Sequence, residues 1–152
     1  MYDADKIDQK LIAELTRNAR LSIAELARRV GLSKTPVQLR MKRLEASGII
    51  RGYRALLDPE RLGLDHVAFV EVKLRDTREP ALREFNAAVC AVPEVEECHM
   101  IAGAFDYLLK VRTGDMARYR LVLGEKISSL PHVAQTSTHV AMQSVKDGGI
   151  VT

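Results

Sequence analysis

The chain has 152 residues, 47% of them hydrophobic and 28% charged, with a net charge of +3, which is room for two compact units of modest core that gain from oligomerisation. No apolar run approaches the roughly 18 residues of a membrane span and the charged start lacks a signal-peptide pattern, so a cytoplasmic protein with no membrane partner is expected. Cys90 and Cys98 are too few and badly spaced for a disulfide framework or a four-thiolate zinc site.

Ile7, Leu11, Ile12 and Leu15 recur at helical spacing behind a cap at Asp3 or Asp5, and Asn18-Ala19-Arg20 ends the pattern. Ser22 with Glu25 forms a capping box, and Ser33 stands ahead of a segment with Pro36 in its first turn. Two short helices therefore flank Gly31-Leu32, with Leu26, Val30, Leu32, Val37, Met41 and Leu44 spaced to share one core. Ala27 permits a close crossing, and Gly31 suits a left-handed turn.

At about 100° per residue, Thr35, Leu39, Lys42 and Arg43 point away from the stripe of Val37, Met41 and Leu44, with Gln38 and Arg40 on the flanks. This outward face suits a major groove. Lys and Arg reach phosphates or guanine, Gln pairs with adenine, and Thr or Leu meets a thymine methyl. The segment after Gly48 alternates like a strand pair or wing and carries Arg51 and Arg54 toward the DNA backbone. Candidate DNA contacts are thus Ser33, Lys34, Thr35, Gln38, Leu39, Lys42, Arg43, Arg51 and Arg54, and the partner is double-stranded DNA. Charge agrees: residues 1–63 carry 13 basic against 8 acidic side chains, a local cationic field hidden by the modest total. The stretch Asp58 to Gly63 is the natural boundary between a DNA-binding domain, 1–63, and a second domain, 64–152.

Residues 64–152 change period in the order βαββαβ, giving an α+β chain with a ferredoxin-like second domain. His66 to Leu74 is a strand, Pro80 opens a helix, and strands run from Val95 to Ala102 and from Asp106 to Thr113. Asp115 caps a helix with Met116, Tyr119, Leu123, Ile127 and Leu130 inward, and His132 to Val145 closes the sheet. Phe69, Tyr107, Leu109 and Val111 are expected on the sheet face away from the helices, where a second subunit would cover them. The loop from Ile101 to Tyr107, with Ile101, Ala102, Gly103, Ala104 and Asp106, is the candidate effector site. Gly103 lets backbone amides approach a carboxylate, and Asp106 offers a charge to an ammonium group. The same two residues equally suit a plain hairpin turn.

The segments IDQKLIAEL, ARLSIAELARRVGLS and RMKRLEASGIIRGYRALLDPERLG, followed by the Ile101 to Leu109 core, resemble the Lrp/AsnC (feast/famine) family of bacterial and archaeal transcription regulators over nearly the whole chain. The resemblance implies a βαββαβ regulatory domain that dimerises, often to an octamer of four dimers, and senses a small molecule, most often an amino acid. It also implies an effector site between dimers that draws on the last strand, here Gln135, Thr136 and Thr138. Ala104 and Phe105 depart from the polar residues or Tyr more usual at those loop positions. Within the family, IAGAFDYLLKVRTGDMARYR with ISSLPHVAQTSTHV is most similar to activators of proline catabolism in α-proteobacteria.

No enzyme, cofactor or metal is expected. His66, His99, His132 and His139 are scattered, neither cysteine sits in a catalytic motif, and Cys98 and His99 point to opposite faces of one strand. The competing reading is an architectural DNA-compacting protein with little sequence preference, whose second domain only oligomerises.

Overall fold

The computed structural model describes residues 4–146, which leaves Asp3, one of the two expected caps, outside the described residues. The chain divides into two compact units, Met1–Ala55 and Leu56–Thr152. Asp58 to Gly63, the expected boundary, therefore lies at the start of the second unit.

The first unit holds three helices, α1 Lys6–Arg17, α2 Ile23–Val30 and α3 Lys34–Ala46. Asp5 caps α1 by accepting from the amides of Ile7 and Asp8. Ser22 caps α2 through a complete capping box with Glu25, and Gly31 ends it in the left-handed region at φ 74°, where a Cβ is disfavoured. Hydrogen bonds from the Ser22 amide and hydroxyl hold the Glu25 carboxyl below its ordinary range. Leu11, Leu15, Leu26, Ala27, Val30, Val37, Met41 and Leu44 form the core, with Ile7, Ile12, Leu21, Ile23, Leu32 and Ile50 around it. After α3, residues 51–56 carry no strand and only Leu57 makes an isolated bridge, so the expected strand pair is absent from this stretch.

The second unit runs β1 His66–Leu74, α4 Glu79–Val89, β2 Val95–Met100, β3 Tyr107–Thr113, α5 Met116–Val122 and β4 Val133–Val140. The antiparallel sheet has the order β2-β3-β1-β4, the ferredoxin-like arrangement expected. A π-helical turn, Leu123–Ile127, extends α5. This departure from the 3.6-residue period accompanies an exposed Met116, whereas Tyr119, Ile127 and Leu130 are buried as expected.

One expectation about the sheet is overturned. The register pairs Ala68 with Val111, Val70 with Leu109 and Val72 with Tyr107. Tyr107, Leu109 and Val111 therefore share the helix-covered face and are buried with Phe85, Val89, Tyr119 and Val122. The Tyr107 ring packs on Phe85 at a centroid distance of 4.5 Å. Of the four residues expected on the open face only Phe69 lies there, 37% exposed, among polar neighbours that include Lys110 and His139. Alternation within one strand fixes which side chains travel together; cross-strand register decides which face each set joins. β4 is also shorter than expected, stopping at Val140.

Candidate nucleic-acid interface and effector site

Helix α3 presents the surface that its sequence promised. Val37, Met41 and Leu44 are buried, while Ser33, Lys34, Thr35, Gln38, Leu39, Lys42 and Arg43 are exposed, Leu39 at 53%. An apolar side chain held that far into water among cations is poorly placed for stability and well placed for a thymine methyl. Ser33 occupies the N-cap position with extended backbone, yet its hydroxyl makes no capping hydrogen bond, so the helix N-terminus keeps donors for a phosphate. Among the described residues no carboxylate pairs with Lys34, Lys42, Arg43, Arg51 or Arg54.

Two neighbours shape this surface in ways that sequence reading missed. The Tyr53 hydroxyl donates to Glu45 Oε1 at 2.8 Å, tying the segment that carries Arg51 and Arg54 back onto α3. Desolvation, followed by the Glu45 hydrogen bond, pushes the phenol up to about 12, so it remains a donor at neutral pH. Arg40, expected on the flank of the DNA face, instead turns to α1, where its Nη1 lies 2.6 Å from Asp5 Oδ2 and 2.7 Å from Asp8 Oδ1.

In the second unit the expected effector residues fall into three groups. Ile101, Ala102, Gly103 and Ala104 lie in the loop between β2 and β3, closed where the Ile101 amide donates to the Asp106 carbonyl at 2.8 Å. Gly103 has no left-handed φ, and an added Cβ would meet only Ile101 Cγ2 at an ordinary 3.5 Å. The turn itself therefore does not demand glycine.

Asp106 does serve the fold. Its Oδ2 accepts from the Leu74 amide at 2.7 Å, beside the β1–β4 register shift at Lys73/Leu74. Asp106→Ala is therefore expected to cost about 1–3 kcal/mol, the penalty of leaving a part-buried amide without its acceptor. An unchanged urea midpoint in that variant would contradict this role.

The last-strand residues divide between the two sheet faces. Thr136 and Thr138 pair with Val72 and Val70 on the helix side, where Thr138 also shares a hydrogen bond with the Tyr119 hydroxyl. Gln135 lies on the open face. There Glu71, Lys73, Ala104, Phe105, Gln135 and Ser137 line a groove of about 150 Å³. Glu71, which the sequence reading did not single out, also holds His139 Nε2 at 3.2 Å.

A three-helix unit with a basic, outward-facing second helix of its helix-turn-helix, joined in one chain to a ferredoxin-like unit, defines a two-domain DNA-binding regulator. Residues 5–51 match the winged helix-turn-helix DNA-binding family, and residues 67–151 match the Lrp/AsnC ligand binding domain. The chain belongs to the Lrp/AsnC family of transcriptional regulators. It is 64% identical over 148 residues to the proline dehydrogenase transcriptional activator of Rhizobium radiobacter, covering 97% of this chain and 95% of that relative. The activator of the same name from Rhodobacter capsulatus is 61% identical over 141 residues, 93% of this chain and 92% of the other. Among solved structures, a Neisseria meningitidis transcriptional regulator in complex with L-methionine superposes with a TM-score of 0.87 at 35% identity, over 95% of this chain and 94% of that one. Like these relatives the protein is a regulator and not an enzyme; the dehydrogenase in their names is the regulated gene's product. Among the described residues no helix is long and apolar enough to cross a membrane.

Proposed function

We propose that this regulator activates transcription of a proline dehydrogenase gene, and that an α-amino acid, L-proline in particular, shifts its assembly or DNA affinity. The observation that carries the effector reading is the groove beside the loop. Glu71 and Lys73 are opposite charges on one face of a strand, next to the apolar Phe105 and Ala104. Same-face neighbours stand roughly 7 Å apart along a strand, a span suited to a zwitterion whose ammonium meets Glu71 and whose carboxylate meets Lys73 in charge-assisted hydrogen bonds. Phe105 and Ala104 would take an apolar side chain or ring, and Gln135 the remaining polar edge. The amides of Ala102, Gly103 and Ala104 in the adjoining loop can join them, whereas the Ile101 amide is taken by the Asp106 carbonyl.

L-Proline follows from the relatives' target: a gene whose product consumes proline is usefully switched by proline itself. We further propose a homodimer that assembles to an octamer, supported by the exposed Leu56, Leu62, Leu64 and Phe69 of the second unit. The dimer presents two copies of α3 to half-sites about one DNA turn apart.

A thermal-shift screen of the twenty amino acids tests the effector reading, because a ligand of the native state raises the melting temperature by mass action. L-Proline is expected to raise it, and both Glu71→Gln and Lys73→Met to abolish the shift while melting as the wild type does without ligand. A shift that survives both substitutions would place the effector elsewhere.

A further inference from the structure

We infer that Arg40, although it lies on the DNA-facing helix, is a positioning residue that fixes α3 against α1 and makes no contact with DNA. Arg40 is only 26% exposed, and its Nη1 is shared between two carboxylates, Asp8 of α1 and the cap Asp5. One of these, Asp8, is 2% exposed, buried on α1 along with Leu11 and Leu15. The other, Asp5, also caps α1 through the amides of Ile7 and Asp8. One cation thus joins the start of α1 to the middle of α3, across 32 and 35 residues of sequence.

The neighbouring cations behave differently. Lys42 and Arg43 are exposed, and among the described residues no carboxylate holds them. The Asp5 carboxyl is depressed first by the Asp8 amide and then by Arg40, and the Arg40 guanidinium is raised by Asp8 and Asp5 in turn, so both ends stay ionised through neutral pH. A guanidinium nitrogen shared between two carboxylates adds a directional restraint on rotation of α3 about its own axis to the packing of Val37, Met41 and Leu44. That rotation decides which of Gln38 and Leu39 meets a base edge.

This inference rests on α3 being the helix that meets DNA. That reading has its own test, because it fails if Gln38→Ala and Leu39→Ala leave discrimination intact, whatever Arg40 does. The experiment titrates the full-length protein with a specific promoter fragment and with random DNA over a range of salt. Arg40→Met and Asp8→Asn are compared with the wild type at a temperature where circular dichroism shows each folded.

Both substitutions are expected to lower the ratio of specific to random affinity about tenfold, the value of one lost base-edge contact. The double variant is expected to be no worse than Arg40→Met alone, since Asp8→Asn weakens one of the two ties that Arg40→Met already removes. The slope of log affinity against log salt stays at the wild-type value, because no phosphate contact is lost. If Arg40→Met does not fold, Arg40→Lys, which keeps a donor for Asp8, is expected to show a smaller loss in the same ratio at unchanged slope. A reduced slope for the Arg40 variants with normal behaviour in Asp8→Asn would make Arg40 a phosphate contact and overturn the inference. Folded variants that discriminate like the wild type would overturn it as well, leaving the ion pairs only a stabilising role.

Discussion

Leu44→Ala is expected to unfold the DNA-binding unit and abolish DNA binding while the four-stranded sheet of the other unit persists. Leu44 is fully buried in a described core of only eight side chains. Truncating a buried leucine costs about 2–5 kcal/mol through lost transfer energy and the cavity left behind, against about 5–15 kcal/mol of stability for whole domains, with small ones at the low end. Hydrogen exchange followed by mass spectrometry separates the two units. Protection is expected to vanish from the helices of residues 6–46 and to remain in residues 66–74 and 107–113. Loss of protection from both segments would mean that the units unfold as one.

Raising salt from 50 to 200 mM is expected to weaken specific DNA binding by about 10⁴-fold, an effect larger than that of any single contact. In the proposed dimer, Lys42, Arg43, Arg51 and Arg54 of each copy would offer about eight phosphate contacts, which corresponds to a slope near −7 in log affinity against log salt. Arg51→Ala or Arg54→Ala is expected to make that slope shallower by nearly one per protomer and to weaken binding to all sequences alike. Gln38→Ala and Leu39→Ala are expected to leave the slope unchanged and to narrow the gap between specific and random DNA, because base-edge contacts carry the sequence information. Fluorescence anisotropy with labelled duplexes gives both quantities. Equal loss on specific and random DNA for Gln38→Ala would remove that face of α3 from base reading.

What was legible in the sequence was what local chemistry decides. The Ser22–Glu25 capping box, the left-handed Gly31 and the stripe of Val37, Met41 and Leu44 depend on neighbours within a turn or two, and the βαββαβ order follows from changes of period along the chain. Features that join distant segments were hidden. Arg40 looks like one more basic residue of a DNA-facing helix until α1 folds against it. The faces of Tyr107, Leu109 and Val111 follow from their pairing with β1 nearly forty residues earlier, and no single-strand pattern contains that register. Asp106 reads as a free charge in a loop, but its Oδ2 is taken by the Leu74 amide at a strand irregularity. The groove pairs Glu71 and Lys73 with Gln135 and Ser137 from the far end of the domain. The two strand charges gain that setting only when β4 and the loop close around them.

The central claim, sequence-specific DNA binding answerable to an amino acid, is tested most directly by one titration. Full-length protein is added to DNA from upstream of a proline dehydrogenase gene and to random DNA of equal length, each with and without L-proline. The expected result is tighter binding to the upstream fragment and a shift of its affinity or footprint by L-proline of about 5- to 150-fold, the usual range of a coupling between sites, with random DNA little changed. Uniform coating of both fragments, unmoved by any amino acid, would contradict the claim and identify an architectural DNA-compacting protein instead.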